Sequence, residues 1–153
     1  FNNFKLPDSR GDQKKIKLSN KNIWLTDESY NSNPLSLKFS IENFNKQYNR
    51  NKYLILGDML ELGKFSKVLH KQAAKIINKT SIKKVYVIGK HIKETFYGIN
   101  SKKRGSIMNN KNEIYQLIKN QLKNNDHLMI KASNSTGLNI VASNIKKGKI
   151  NAI

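Results

Sequence analysis

Apolar residues along this chain come in short runs of strand length, and five of these runs lead through a polar loop into a helical pattern. In the first, Ile23-Trp24-Leu25-Thr26 leads into Asp27-Glu-Ser-Tyr-Asn-Ser-Asn-Pro34. Leu37, Ile41, Phe44 and Tyr48 then recur at helical spacing, with Asn33 placed to cap the helix and Pro34 to open it. The second runs from Tyr53–Leu56 through GDMLELGKF to a helix with Leu69, Ala73 and Ile76 on one face and Ser66 as its expected cap. The third is Val85–Ile88, closed by Gly89, with a short helix through Ile92 and Phe96. The fourth is a weak strand around Ile107 and Met108, followed by a helix carrying Ile114, Leu117, Ile118 and Leu122, with Asn110 as its expected cap. The fifth is Leu128–Lys131, then ASNSTG, then Leu138, Val141, Ala142 and Ile145.

Strands alternating with helices, and strands apolar almost throughout, predict a three-layer, Rossmann-like α/β domain with a mainly parallel sheet. Ahead of the first unit, Ile16 and Leu18 alternate with polar residues, and SNKN turns the chain into Ile23 and Leu25. That reads as a hairpin, placing an antiparallel strand at the sheet edge. In such sheets ligands bind beyond the carboxyl ends of the strands, so the informative loops are DESYNSNP, GDMLELG, the Gly89 turn and KASNSTG.

The length of 153 residues suits one domain with a full core. The opening stretch FNNFKLPDSRGD reads as the tail of a preceding element, so residues 1–12 are expected to link to an earlier domain and 13–153 to form the domain itself. With no cysteine there is no disulfide, thiolate zinc site or cysteine nucleophile, and three scattered histidines give no basis for a bound metal. No apolar run is long enough to span a membrane and no signal peptide is visible, so the expected location is the cytosol. The net charge of +19 raises a nucleic-acid-binding module as an alternative. Against it, only Arg10, Arg50 and Arg104 are arginine, the lysines are spread over outward helix faces, and Lys, Asn and Ile all have A/T-rich codons. The acids also gather at the expected ligand rim, the wrong sign for a phosphate backbone.

In DESYNSNP, Asp27 and Glu28 suit ribose hydroxyls, Tyr30 suits stacking on a base, and Asn31 and Asn33 suit a purine edge or a phosphate. The competing reading is that Asn33 and Pro34 only start a helix and Asp27 only tethers the loop. In GDMLELG, Asp58 can orient a neighbouring loop or hold an ammonium group, with Glu61 beside it, while Met59 and Leu62 plug the core. Lys131 and Ser133 suit a phosphate, or Lys131 is one more surface lysine. His70 reads as a satisfied structural histidine, and His91 and His127 as incidental. Neither G-x-x-x-x-G-K-[ST] nor G-x-G-x-x-G occurs, so if this domain meets ATP, another domain must hold most of the phosphates.

DESYNSNP, LGDMLELG, a histidine at position 70 and a late KASNSTG, in this order over nearly the whole chain, resemble the C-terminal domain of Mur ligases, in the branch that adds D-alanyl-D-alanine. The resemblance implies an ATP- and Mg²⁺-dependent ligase joining D-alanyl-D-alanine to UDP-N-acetylmuramoyl-tripeptide through an acyl phosphate, in bacterial peptidoglycan synthesis. It implies that missing N-terminal and central domains hold the UDP group, the phosphates and the metal, and that this domain alone is inactive. Arg10, Asp27, Tyr30, Asn31, Asn33 and Lys131 fall on nucleotide-side positions. Asp58, Glu61, Ser133 and His70 fall on acceptor-side or supporting ones. Ser9 replaces a glycine of the family pattern, Ser32 an alanine and Ala132 the glycine of K-G-S, and Gly137 stands where an arginine is frequent. A non-catalytic, degenerate ligase domain is the further alternative these departures permit.

Overall fold

The computed structural model describes residues 13–47 and 50–150. The elements are β1 (Gln13–Lys17), β2 (Asn22–Glu28), α1 (Pro34–Lys46), β3 (Lys52–Gly57), α2 (Ser66–Asn78), β4 (Lys84–Ile88), α3 (Lys93–Gly98), β5 (Arg104–Met108), α4 (Asn112–Asn120), β6 (His127–Lys131) and α5 (Leu138–Lys146). They form one six-stranded sheet in the order β1-β2-β6-β3-β4-β5. β1 runs antiparallel to β2, and every other pairing is parallel. The predicted edge hairpin and parallel sheet are therefore both present.

Alternation along β3 shows how the layers form. Leu54 and Leu56 point into one core with Leu37, Ile41 and Phe44 of α1 and Ala73, Ala74 and Ile77 of α2. Tyr53 and Ile55 point into the other, with Ile114, Leu117 and Ile118 of α4 and Leu138, Val141, Ala142 and Ile145 of α5. A strand buried on both faces has no polar side to show, which is why these runs read as continuous apolar stretches. The chain passes from β2 through α1 to β3 and leaves a gap that β6 fills last. Loops after β2 and β3 therefore leave toward one face and the loop after β6 toward the other, opening a crevice at their carboxyl ends.

Several local expectations are corrected. Asp27 and Glu28 belong to β2, because their backbones continue the ladder opposite Ile130 and Lys131 of β6. The buried face of α2 is His70, Ala73, Ala74 and Ile77, one position round from the expected face, because α3 packs against it while Leu69 and Ile76 border a groove beside α1. Ser66 does not cap α2: a 3-10 turn over Gly63–Phe65 feeds directly into the helix. Lys111 holds the cap position of α4, although the Asn110 carboxamide still accepts the Glu113 N–H at 3.3 Å. Asn33 does cap α1: its side chain accepts the Ser36 N–H at 2.9 Å, and the Ser36 hydroxyl accepts its own N–H at 3.0 Å. Tyr48 lies outside the described residues.

His127 is not incidental. It is fully buried at the start of β6, with Nε2 2.7 Å from Thr26 Oγ1 and its ring edge-on to Phe44. Burial holds it neutral and lowers its pKa to about 4, with the charges of Arg50 and Lys52 acting in the same direction. A histidine whose folded pKa lies below its unfolded value contributes stability that is fully present above about pH 6.5 and is lost as pH falls toward 4. That loss amounts to about 3 kcal/mol. Urea unfolding at pH 7.5 and pH 4.5 should show the fall, and a His127 ring titrating near pH 6.5 by NMR would contradict it.

Candidate functional site

Three of the singled-out loops meet at the carboxyl rim, where they line a cleft of about 540 Å³ that includes Tyr30, Asn31, Asn33, Glu61 and Ser133. Their positions are fixed by cross-links between loops. Ser133 Oγ accepts the Leu60 N–H at 3.0 Å and donates to the Ser32 carbonyl at 3.2 Å. Lys131, fully buried, donates to the Asn31 carbonyl at 2.7 Å and lies 3.6 Å from the Glu28 carboxylate. Burial pushes the Glu28 carboxyl above its ordinary value, and Lys131 opposes that shift. Asp27 Oδ1 accepts the Ser29 N–H at 3.0 Å and the Ser29 hydroxyl. Its Oδ2 lies 2.6 Å from Lys146 Nζ, close enough for an ion pair though not aligned as a hydrogen bond. Asp27, Lys131 and Ser133 are thus bound into the protein and shape the cleft from behind. Tyr30, Asn31 and Glu61 are exposed to it. Ser32 Oγ, buried beneath the cleft, has no partner, a vacancy that a polar ligand atom can fill.

A second cleft of about 580 Å³ adjoins the first, with Leu60 and Ser135 in both walls. Asp58 organises it. Its carboxylate accepts the N–H groups of Lys90, His91 and Ile92 at 3.2, 2.9 and 2.8 Å, tying the end of β3 to the turn after β4. Gly89 makes this possible: its φ is +139°, and a Cβ there would lie 2.5 Å from Asp58 Oδ1. The neighbouring loop is held by His70, whose Nε2 accepts the Met59 N–H at 3.1 Å while Nδ1–H donates to the Ser66 carbonyl at 2.7 Å. These bonds require the neutral ring, and burial lowers its pKa accordingly. Glu61 sits at φ +62°, unusual for a non-glycine residue.

The family Mur ligase, glutamate ligase domain, matches residues 16–134. The chain belongs to the Mur ligase family. It is 29% identical over 130 residues to the UDP-N-acetylmuramoyl-tripeptide–D-alanyl-D-alanine ligase of Bacillus subtilis (strain 168), covering 79% of this chain and 27% of that protein. It is 33% identical over 130 residues to the ligase of the same name from Buchnera aphidicola subsp. Baizongia pistaciae, covering 84% of this chain and again 27% of that protein. The chain thus spans about a quarter of the length of the curated relatives it matches. Its fold superimposes on the crystal structure of MurF ligase from Thermotoga maritima in complex with ADP with a TM-score of 0.77 at 23% identity, covering 96% of this chain and 32% of that one.

Within this Mur ligase domain, Arg10 lies outside the described residues, and the other singled-out residues gather on the carboxyl rim or directly behind it. Sequence reasoning passed over Lys146, which pairs with Asp27, and over Asn109, Asn110 and Lys111, which line the second cleft. The signal for the last three was available: a polar run after a strand of a parallel sheet lies on the ligand rim. Ala132 is a packing residue of the Mur ligase fold here, since a Cβ on Gly57 would lie 2.7 Å from its methyl. Among the described residues no three His, Asp or Glu side chains gather to hold a metal ion, so no step is assigned to Mg²⁺ in this domain. Nor is any helix of them long and apolar enough to cross a membrane.

Proposed function

We propose that this chain is the C-terminal domain of an ATP-dependent ligase that joins D-alanyl-D-alanine to UDP-N-acetylmuramoyl-tripeptide. The observation carrying this reading is that the loops DESYNSNP, GDMLELG and KASNSTG, far apart in sequence, line one cleft with an unpartnered buried hydroxyl beneath it. Residues 1–12, with Arg10, then lead from a central domain that supplies the phosphate-binding loop and the Mg²⁺ ligands, and the enzyme works in the bacterial cytoplasm. The reaction passes the terminal phosphoryl group of ATP to the tripeptide carboxylate, and the dipeptide amine then displaces phosphate at the acyl carbon as it loses its proton.

This domain's part is to bind, orient and exclude water. Tyr30 and Asn31 face the base and ribose, Ser32 Oγ supplies a buried polar contact, and the second cleft receives the acceptor. Closure of these loops over the other domains keeps water from the acyl phosphate, which would otherwise hydrolyse.

Because Tyr30 and Asn31 are exposed, removing them tests the site without unfolding it. Tyr30→Ala and Asn31→Ala in the full-length ligase should each raise the KM for ATP severalfold, with Tm and the affinity for the UDP substrate unchanged. An unchanged KM in both variants would remove the nucleotide from this cleft.

A further inference from the structure

The second cleft holds a cation that the fold does not use. Lys111 occupies the cap position of α4, and its ammonium reaches across to Gly137 at the start of α5. A Cβ on Gly137 would lie 2.5 Å from Lys111 Nζ, so the space Lys111 occupies exists only because residue 137 is glycine, at φ +81°. No hydrogen bond or ion pair engages this ammonium among the described residues. The carboxylates that could neutralise it are committed elsewhere. Asp58 accepts three backbone N–H groups, and Glu113 accepts those of Asn109 and Asn110. A lysine at the positive end of a helix is electrostatically disfavoured. Here nothing in the protein offsets that cost. A local rule broken without internal compensation points to a partner from outside.

We propose that Lys111 binds the terminal carboxylate of the acceptor dipeptide. The inference rests on the ligase reading above and goes further by naming the residue that recognises the acceptor. The carboxylate is the acceptor's permanent negative group, and its amine must stay free of ion pairing to attack. Holding the carboxylate at Lys111 leaves the amine end to extend toward Leu60 and Ser135, where the two clefts meet. The volume of about 580 Å³ accommodates a dipeptide.

The test compares two acceptors, D-alanyl-D-alanine and its C-terminal amide, with wild-type, Lys111→Met and Lys111→Arg full-length ligase, reading phosphate release. Lys111→Met should raise the KM for the acid about tenfold or more, with little change in kcat. It should leave the amide, already a poor acceptor for wild type, unaffected. Lys111→Arg should restore most of the affinity. Equal losses for acid and amide, or no loss for either, would overturn the role of Lys111 while leaving the ligase reading standing. A folded wild-type enzyme releasing no phosphate in response to either acceptor would overturn both.

Discussion

Asp58→Ala should lower the stability of the domain by about 3 kcal/mol, as three buried or half-buried N–H groups lose their acceptor at about 1–3 kcal/mol each and water entering from the cleft recovers part of that. The carboxylate accepts from Lys90, His91 and Ile92, so its loss frees the whole turn between β4 and α3. Asp58→Asn should cost less, because one carbonyl oxygen can still serve His91 and Ile92 while the amide N–H₂ opposes the Lys90 N–H. Gly89→Ala should be severe in the wild type, from its φ of +139° and the overlap with Asp58 Oδ1 at 2.5 Å. In the Asp58→Ala background only the backbone strain remains, so the two changes should combine to less than their sum. Urea unfolding of the four proteins measures this. A loss under about 1 kcal/mol for Asp58→Ala would mean that the carboxylate does not hold the turn.

Lys131→Met should cost about 3 kcal/mol, the lower end of the range for breaking a buried ion pair from one side, since Glu28 keeps some access to solvent. The change strands the Glu28 carboxylate and the Asn31 carbonyl, both of which Lys131 Nζ serves. The Glu28 carboxyl, already pushed up by burial, should then rise further. Adding Glu28→Gln should recover much of the loss, because the stranded charge goes with it. The loop carrying Tyr30 and Asn31 is released in Lys131→Met, so its KM for ATP should also rise. A surface lysine would show neither the stability loss nor the recovery by Glu28→Gln.

These two residues show what the sequence could reveal and what it could not. The strands were readable because β3, β4 and β6 are buried on both faces and leave unbroken apolar runs. The face of α5 was readable because Leu138, Val141, Ala142 and Ile145 all meet one core. The candidate loops were readable because chain order in a parallel sheet sends them to one rim. The direction of individual side chains was not. Lys131 ends an apolar strand in either reading, and only the neighbouring β2 shows that it faces inward to Glu28 and Asn31. Asp27 looks like a loop acid until Lys146, far along the chain, is found beside it. The rotation of α2 depends on α3 packing against it, which periodicity within α2 does not encode.

The most direct test is to give the full-length ligase UDP-N-acetylmuramoyl-tripeptide, ATP and D-alanyl-D-alanine and to weigh the UDP-linked product. The expected result is a product heavier by the dipeptide less water, formed with a stoichiometric release of phosphate and absent when either ATP or the dipeptide is left out. A folded enzyme that binds nucleotide yet yields no such product with this acceptor would contradict the assignment.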